Sequence, residues 1–543
     1  NWQSTHHHFN LELGNFTRSS FFQGYRAIGG YRFSNKKMDI TYNQEWMNTE
    51  SKSNIVRNNL INNKRFESVF KFKYVKLGLS AATEESRFSN DTSSSLEAIS
   101  YRFNSIGTFL QSQLSKHWNY KLDVNYRADD AVNGQNFAYA STGVNASGNL
   151  EHLGKGLNRL NIVGSYRKLN LANSDDDEDV ILGRIEYNAN FFKRAINSGT
   201  YYQIGTGREQ RRTFTFTLVQ SGLGNYTWVD YNNNGIEEIN EFEPAIYPDQ
   251  AKYVKVWLPS NEFIKSNTNE FNQTIRLQAP VQWQSAGSLK RFIARFNSVS
   301  TYKTDRRITD NSLLTIINPL KLNITDSSLI AVNSLIKQTT FFNRSNAKFG
   351  IEHNVQSIRG KQFLSSGFEW RKTDKNQVVS RFGIGPNLSL VIDMEQSRKQ
   401  NLNEFFENRN YDFTSQIIYP ELFFQTSKGF RMGAFYKYTE ARNVPVYGGD
   451  QAFIKEYGLE MRYFIINKGN FDAKISAFDI NFIGNTNTPL AFDLLNGLTN
   501  GRNLTWKVGF GGKTIENIQI NLSYEGRKTA INRAVHIGRA EAR

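Results

Sequence analysis

Apolar and polar residues alternate over long stretches of this chain. In residues 118–127, every even position is apolar or aromatic and every odd position is polar or charged. Successive side chains of a β-strand point to opposite faces, so this period of two predicts strands with two unlike faces. The same alternation begins again at Met38, Leu388 and Ile518. The chain contains roughly two dozen such segments of about ten residues, and a series of this kind is typical of a transmembrane β-barrel.

A soluble β-propeller or β-solenoid is the alternative to a barrel. A propeller repeats its sequence pattern every 40–50 residues or so, whereas the segments of this chain are separated by connections of irregular length. The sequence therefore predicts an all-β fold, a transmembrane antiparallel β-barrel of about 22–26 strands with long extracellular loops.

The composition agrees with a membrane barrel. The mean hydropathy is −0.55, and no run approaches the ~18 apolar residues of a membrane helix. Without helices, only a closed barrel satisfies every backbone hydrogen bond inside a bilayer. The 41 Phe, 25 Tyr and 8 Trp supply side chains for lipid-facing girdles, and nine prolines are few enough for long strands.

The net charge limits the kinds of partner that we expect, and the absence of cysteine limits the kinds of site. The formal charge of +16 predicts either a lumen that attracts anions or contacts to outer-membrane lipids and lipopolysaccharide phosphates. The basic residues are dispersed, so we expect no nucleic-acid partner. The absence of cysteine excludes disulfides, thiolate metal sites and a cysteine nucleophile, and it agrees with an oxidising envelope compartment.

Short and long connections alternate along what we expect to be a single domain, residues 1–543. The predicted short turns lie at 154–156, 385–387, 427–429 and 467–469. The predicted long excursions lie at 172–180, 207–267, 304–345, 398–409, 440–452 and 483–502. If both chain ends are periplasmic, all the long excursions fall outside the cell, as in outer-membrane barrels.

The chain ends are interpreted as parts of a longer precursor. The sequence starts at Asn1 rather than Met and shows no signal peptide, so we expect further domains before it. Histidines 6–8 are interpreted as native sequence, because the strand alternation continues from Phe9. Residues 535–543 are predicted to begin a last strand that continues beyond the final residue.

The segment 230–241 matches the spacing of a calcium loop. Oxygen-bearing side chains occupy positions 1, 3 and 5, Gly235 permits the turn at position 6, and a glutamate closes position 12. The predicted calcium ligands are Asp230, Asn232, Asn234, the carbonyl of Ile236, and Glu241. The flanks are strand-like and Glu237 occupies the usual apolar position 8, so the alternative is a polar turn without metal. A bound calcium would have a structural role.

Two further excursions have unusual composition. The acidic run 175–179 is interpreted as a solvated loop tip, with cation binding as the alternative. The apolar excursion 304–345 predicts a segment that folds into the lumen, caps the barrel or meets a partner, or else one or two additional strands.

The alternation also assigns side chains to the lumen. The residues predicted to face inward are Lys121, Asp123, Arg127, Asp393, Glu395, Arg431 and Lys437. A charged side chain on the lipid face would cost about 2–4 kcal/mol at the bilayer midplane, which is why charge is expected inside.

A resemblance to a known group of proteins rests on a few patches. The runs 226–232, 240–243 and 247–254 look like a loop found in large outer-membrane proteins of Bacteroidota, and 341–345 and 538–543 are similar in style. The resemblance implies the C-terminal barrel domain of a Gram-negative outer-membrane protein. It implies no substrate.

Three classes of function remain open on the sequence. The leading hypothesis is transport or translocation across the outer membrane, by an importer, a lipid or lipopolysaccharide pore, or a protein-export pore. The second is a plugged surface scaffold that docks partner lipoproteins or belongs to an assembly or secretion complex, with lipoproteins or periplasmic domains as its partners. We expect no enzyme, because the sequence has no nucleophile elbow, no His-Glu-x-x-His motif and no phosphate loop.

Overall fold

The computed structural model describes most of the chain as two compact units. The described residues are 2–18, 22–52, 56–90, 93–113, 117–154, 156, 158–172, 178–210, 213–258, 263–285, 287–309, 312–322, 328–364, 367–427, 429–465, 469–515 and 518–542. The first unit comprises Asn1–Asn190 and Gly199–Gly207, and the second comprises Phe191–Ser198 and Arg208–Arg543. The expectation of a single domain stays a prediction.

Strands joined in chain order form the first unit. They are β1 (Trp2–Gln3), β2 (His7–Arg18), β3 (Phe22–Ser34), β4 (Met38–Lys52), β5 (Val56–Lys71), β6 (Val75–Asn90), β7 (Ser93–Leu96), β8 (Tyr101–Ser112), β9 (Trp118–Asn133), β10 (Asn136–Leu153), β11 (Arg159–Leu171) and β12 (Glu178–Phe191). The following strand, β13 (Ile196–Gln210), contributes residues to both units. The strand predicted after histidines 6–8 is β2.

The register of the first unit sorts its side chains into two faces. Tyr42 lies opposite Phe66, Phe66 opposite Ala81, Ala81 opposite Ile106, and Ile106 opposite Tyr126. These five side chains form one cross-strand row because directly opposed residues point to the same side of a sheet. We call this side the apolar face of the first unit, and the opposite side its polar face.

The second unit repeats the ladder. Its long strands are β18 (Phe263–Gln278), β19 (Phe296–Ile308), β20 (Leu329–Phe342), β21 (Phe349–Leu364), β22 (Gly367–Gly383), β23 (Leu388–Asn403), β24 (Tyr411–Ser427), β25 (Phe430–Asn443), β26 (Gln451–Ile465), β27 (Gly469–Ile483), β28 (Gly501–Ile515), β29 (Ile518–Lys528) and β30 (Val535–Ala542). Three short helices lie in its connections: α1 (Ser288–Ile293), α2 (Leu313–Ile317) and α3 (Pro489–Leu495). The predicted last strand is β30.

Two unlike faces also run through the second unit. Val378, Met394, Ile418 and Tyr438 are directly opposed across β22 to β25 and define its apolar face. The neighbouring row, which contains Glu395, belongs to the polar face. Among the described residues, none of the helices combines the length and the apolarity that a membrane crossing would need.

The connections differ at the two ends of these strands. At one end, here the short-connection end, the turns 343–348 and 384–387 join neighbouring strands; at the long-connection end lie 404–410, 444–450 and 484–500. The turn predicted at 385–387 is confirmed. The other three predicted turns fall partly on residues 155, 428 and 467–468, outside the described residues, and two of their other positions, Ser427 and Gly469, belong to β24 and β27.

The fold-class prediction is confirmed. The protein is an all-β antiparallel structure in which the long strands are hydrogen-bonded to their neighbours in chain order, the strand arrangement typical of transmembrane β-barrels. Counted over the described residues of both units, 26 strands belong to these ladders, which is the upper limit of the predicted range. A further four strands form a separate small sheet.

The apolar excursion 304–345 contains the end of β19 and all of β20. Only residues 309–328 connect them, and α2 lies in this connection. Ile308, Leu329 and Val332 are buried in a cluster with Ile316 and Leu322. The guanidinium of Arg306 holds the connection in place by donating to the carbonyls of Thr315 and Lys321, each at 2.7 Å.

The α2 connection packs on the apolar face. Arg306 and Val332 are paired, and they lie on the same face as the pair Phe296 and Phe342, the apolar side of β19 and β20. A lumen constriction would instead need contact with the polar face. The alternative raised by the sequence, one or two additional strands, describes residues 304–308 and 329–342 of this excursion.

Candidate functional site

The connection between β13 and β18 folds as a small sheet, which we call the insert (residues 213–258). Its strands are β14 (Thr213–Leu218), β15 (Tyr226–Trp228), β16 (Phe242–Pro244) and β17 (Tyr253–Leu258), arranged in the order β14, β17, β15, β16. Phe216 stacks on Phe242 with ring centroids 4.1 Å apart, and Tyr253 meets the edge of Phe242 at 4.9 Å. These contacts give the insert an aromatic core of its own.

A buried ion pair attaches the insert to the connection before β24. Arg409 ends the 3₁₀ turn Glu407–Arg409, and its two terminal nitrogens lie 2.9 and 3.1 Å from the carboxylate oxygens of Glu243. Arg409 also donates to the carbonyl of Asn240, and the Tyr231 hydroxyl donates to Glu243 at 3.2 Å. Glu243 and Arg409 therefore form a forked, charge-assisted contact away from water.

Burial governs the ionisation of this contact. It raises the pKa of Glu243 above the ordinary value, although the positive charge of Arg409 acts in the opposite direction. Burial also raises the pKa of the Tyr231 hydroxyl, and the nearby Glu243 charge adds to that effect. Burial also lowers the pKa of Lys255 in the insert, whose ammonium lies 3.6 Å from the centroid of Phe214.

A second ion pair joins the insert to β29. Arg527 donates two hydrogen bonds to the carboxylate of Asp249, at 2.5 and 2.7 Å, and its guanidinium lies 4.3 Å from the ring centroid of Tyr247. The side-chain amide of Asn487 donates to the carbonyl of Tyr231 at 2.6 Å. Arg527 belongs to the polar face, so the insert lies against that face at the long-connection end.

The helix α3 covers the polar face beside the insert. Thr488 caps the helix by accepting a hydrogen bond from the N–H of Ala491 at 3.1 Å. The side chains of α3 and of the strands beneath it form a buried cluster. Its members are Phe413, Ala441, Ala452, Ile454, Ile480, Phe482, Leu490, Ala491, Leu494, Leu495 and Leu498. Tyr247 of the insert packs against the same cluster, so the insert and α3 form one cover.

A cavity of about 170 Å³ remains between α3 and the strands. Its charged lining residues are Glu395, Lys399, Lys437, Glu456 and Asp493, and its apolar lining residues include Ile454 and Leu494. The Lys399 ammonium lies 3.4 Å from the carboxylate of Asp493 on α3. The cover therefore rests on strands that carry both charged and apolar groups.

The predicted lumen-facing residues of β9 share one face of that strand. Lys121, Asp123 and Arg127 lie opposite to the face that carries Leu122 and Tyr126. Asp123 accepts a hydrogen bond from Ser147 at 2.8 Å, and Arg127 pairs with Asp129 at 2.5 Å.

The predicted lumen-facing residues of the second unit also lie on its polar face. Asp393 and Glu395 share one side of β23, and Arg431 and Lys437 share the corresponding side of β25. Asp393 accepts a hydrogen bond from Gln377 at 2.7 Å, Glu395 pairs with Lys375 at 2.6 Å, and Arg431 stacks on Phe423. That these faces border a water-filled lumen stays a prediction.

The predicted calcium loop closes on its own backbone. The Asp230 carboxylate accepts from the N–H groups of Asn234 and Gly235 at 3.1 and 2.9 Å. The side-chain oxygen of Asn234 accepts from the N–H of Ile236 at 2.7 Å, and that of Asn232 accepts from the N–H of Asn234 at 3.0 Å. These hydrogen bonds join side-chain oxygens of the loop to backbone N–H groups of the same loop.

Two carboxylates at the end of the loop have different surroundings. Glu241 is only 1% exposed, and it accepts hydrogen bonds from the indole N–H of Trp228 at 2.8 Å and the N–H of Tyr231 at 3.1 Å. Glu238 instead lies 3.1 and 3.3 Å from the two asparagine amides of the loop. Within the described residues, no group of three His, Cys, Asp or Glu side chains is arranged as a metal site. Calcium binding stays a prediction.

Parts of the site were not predicted from the sequence. The α3 helix has a readable signature, with Thr488 at the N-cap, Pro489 in the first turn and Asn496–Gly497 after the last turn. Arg409 and Arg527 carry no such signal, since their partners lie far away in sequence. Residues 175–177 of the acidic run lie outside the described residues.

Comparisons with known proteins give no family. No protein-family model and no curated protein matches the chain. Similar solved structures include the siderophore receptor PirA from Acinetobacter baumannii (9% identity over 97% of this chain and 76% of that chain, TM-score 0.35) and the outer membrane transporter YddB from Escherichia coli (8%, 96% and 74%, TM-score 0.33). A third is the RagAB peptide importer in its closed-closed state (6%, 95% and 73%, TM-score 0.30). At these TM-scores the structural similarity does not support a function for this chain.

Proposed function

We propose that the protein is an outer-membrane β-barrel protein of a Gram-negative bacterium that transports cargo along its polar faces. In this proposal the insert and α3 close the long-connection end of the second unit. Both the membrane location and the transport activity are hypotheses that the geometry supports.

The exposed cross-strand row of the first unit carries the membrane part of the proposal. Phe66, Ile106 and Tyr126 are 40%, 67% and 46% exposed although they lie in regular strands. The opposite face carries charged side chains. Soluble monomers rarely expose such a continuous apolar surface, whereas a barrel covers it with lipid.

The cover on the polar face supports transport with a closed state. Two ion pairs and one apolar cluster hold the insert and α3 against strands that also carry Glu395 and Lys437. A cover with discrete contacts opens when those contacts are broken, which is what a gate requires. A catalytic role is not part of the proposal, because the buried carboxylates Glu241 and Glu243 are engaged by other groups of the insert and by Arg409.

Conductance across planar bilayers tests the proposal. The wild-type chain is compared with a variant in which residues 213–258 are replaced by a short Gly-Ser linker. We expect low conductance from wild type and a several-fold increase from the variant. Liposomes loaded with a small solute, a labelled lipid or an unfolded polypeptide then identify the cargo class. A variant that inserts into bilayers and conducts no more than wild type would contradict the closure.

A surface scaffold is the second candidate, because the insert exposes apolar side chains. Leu218, Leu223 and Ile236 are 65%, 70% and 62% exposed. This surface suits a partner lipoprotein, since exposed apolar patches of this kind mark protein contacts. Replacing Leu218 and Leu223 by glutamate would then reduce the size of the native complex in solubilised membranes, without any change in conductance.

A further inference from the structure

The connection between β18 and β19 is unusual for the short-connection end. It contains a 3₁₀ turn (Val281–Ser285) and α1, whereas the neighbouring turns there are short. Leu289 is 72% exposed and Val281 is 71% exposed. Phe192, in the adjacent turn before β13, is 76% exposed. So much exposed apolar surface in one place requires a covering partner.

A row of phenylalanines places this connection at a boundary. On the apolar face, the ring centroids of Phe296 and Phe342 are 4.9 Å apart, and those of Phe349 and Phe382 are 5.2 Å apart. Phe292 of α1 extends the row, with its ring centroid 5.4 Å from that of Phe296. Aromatic rows at the ends of barrel strands mark the level of the lipid headgroups.

An apolar groove of about 440 Å³ opens beside this row. Its lining includes Phe192, Ile196, Leu277, Trp283, Ile293 and Phe296. Leu277 and Phe296 both belong to the apolar face of β18 and β19, so the groove opens on that face. Its volume and apolar lining suit an acyl chain.

Basic residues flank the lining residues of the groove along the chain, and we call them the basic rim. Lys193, Arg194, Lys290, Arg291 and Arg295 are all exposed. The segments 191–198 and 279–296 contain no Asp or Glu. Basic side chains beside an apolar segment at the headgroup level attract anionic lipids.

We propose that this groove binds a phospholipid with an anionic headgroup, with an acyl chain along Trp283 and Phe296 and the headgroup phosphate at the basic rim. The proposal depends on the membrane location proposed above. Charge complementarity favours an anionic lipid over a zwitterionic one, and the aromatic row places the headgroup at the height of α1.

Tryptophan quenching by brominated lipids tests this site in the full chain. The protein is reconstituted into phosphatidylcholine nanodiscs that carry a minor fraction of either dibromo-phosphatidylglycerol or dibromo-phosphatidylcholine. The signal of Trp283 is the difference between wild type and Trp283→Phe. We expect the phosphatidylglycerol probe to quench Trp283 at a clearly lower mole fraction than the phosphatidylcholine probe.

A charge-matched pair of variants separates the site from net charge. Lys290→Gln/Arg295→Gln is expected to weaken the preference by about fivefold for each cation removed. Lys36→Gln/Lys37→Gln removes the same charge from the exposed turn between β3 and β4 and is expected to leave the preference unchanged. An equal loss in both variants would overturn the proposal.

Two other tryptophans separate a failure of the proposed lipid site from a failure of the proposed membrane location. Trp46 and Trp118, on the apolar face of the first unit, are quenched by both probes if the strands cross the bilayer. Quenching of these two without quenching of Trp283, or equal quenching of Trp283 by both lipids, overturns the lipid site alone. No quenching of any tryptophan overturns the membrane location as well.

Discussion

The two units use the same strand pattern but bury different surfaces. Among the described residues of the first unit, Ala189 is the only buried apolar side chain. In the second unit, both the α2 connection and the cover of insert and α3 create buried apolar clusters. The period of two builds strands with two faces in both units, whereas the connections decide which face is covered. Function that depends on closure is therefore expected to be sensitive to residues in the connections.

Breaking the buried ion pair of the cover is expected to have the largest effect. Arg409→Ala leaves the Glu243 carboxylate buried without its partner, which costs about 3–5 kcal/mol. The matched change in the first unit is Arg127→Ala, whose partner Asp129 is partly exposed, and an exposed pair is worth about 0–1 kcal/mol. The measurement is the urea concentration at which protease begins to cleave the insert. Similar shifts for the two variants would show that the pair does not hold the cover.

Shortening a side chain beneath α3 is expected to have the next largest effect. Leu494 is buried in the cluster, so Leu494→Ala removes packing worth about 2–5 kcal/mol and loosens α3 from the strands. Leu122→Ala in β9 is the control, because Leu122 is 54% exposed on the apolar face and leaves no cavity. Bilayer conductance is the readout. We expect only Leu494→Ala to increase the frequency of channel openings above that of wild type. An increase in both variants would show that the gate does not lie at α3.

The sequence predicts the strands much better than the cover. Alternation such as that of 118–127 depends only on neighbouring residues, so the strands, their faces and the turn at 385–387 can be recognised from local sequence. The cover depends on pairs such as Arg409 with Glu243 and Arg527 with Asp249, which are far apart in the chain. Nothing local marks these arginines. The α3 helix lies between these cases, since its caps are local signals.

Acidity is expected to strengthen the cover. The raised pKa of Glu243 means that the folded insert binds a proton more tightly than the detached insert does. This contribution is fully present below the ordinary carboxyl pKa and is lost as the pH rises through the raised pKa. The onset of protease cleavage in urea should therefore move to lower urea between mildly acidic and neutral pH. Glu243→Gln should remove this dependence.

Neighbouring groups of Glu243 do not produce the same trend. The raised pKa of the Tyr231 hydroxyl confines its titration to alkaline pH. Tyr231→Phe is thus the control, and we expect the onset of protease cleavage in this variant to depend on pH as it does in wild type. A dependence that persists in Glu243→Gln would assign the effect to another group.

Calcium is expected to have the smallest effect, confined to the insert. Two neutral asparagines among the ligands imply a dissociation constant of about 10⁻⁴–10⁻³ M. Millimolar calcium would then stabilise the loop by about 1 kcal/mol and slow its cleavage by protease. Asp230→Ala should abolish the response to chelator. Asn233→Gly, at a non-ligand position with φ of 57°, should retain it.

Two glutamate variants then identify the carboxylate that completes the calcium site. Glu241 is buried against Trp228 and Tyr231, so Glu241→Gln should loosen the insert with or without calcium. Glu238 lies over the asparagine amides, so Glu238→Gln should change only the response to calcium if this side chain is a ligand. A calcium response that is unchanged in Glu238→Gln and lost in Glu241→Gln would support the position-12 ligand predicted from the sequence. If chelator does not change cleavage of the wild-type protein, the loop is a polar turn that needs no metal.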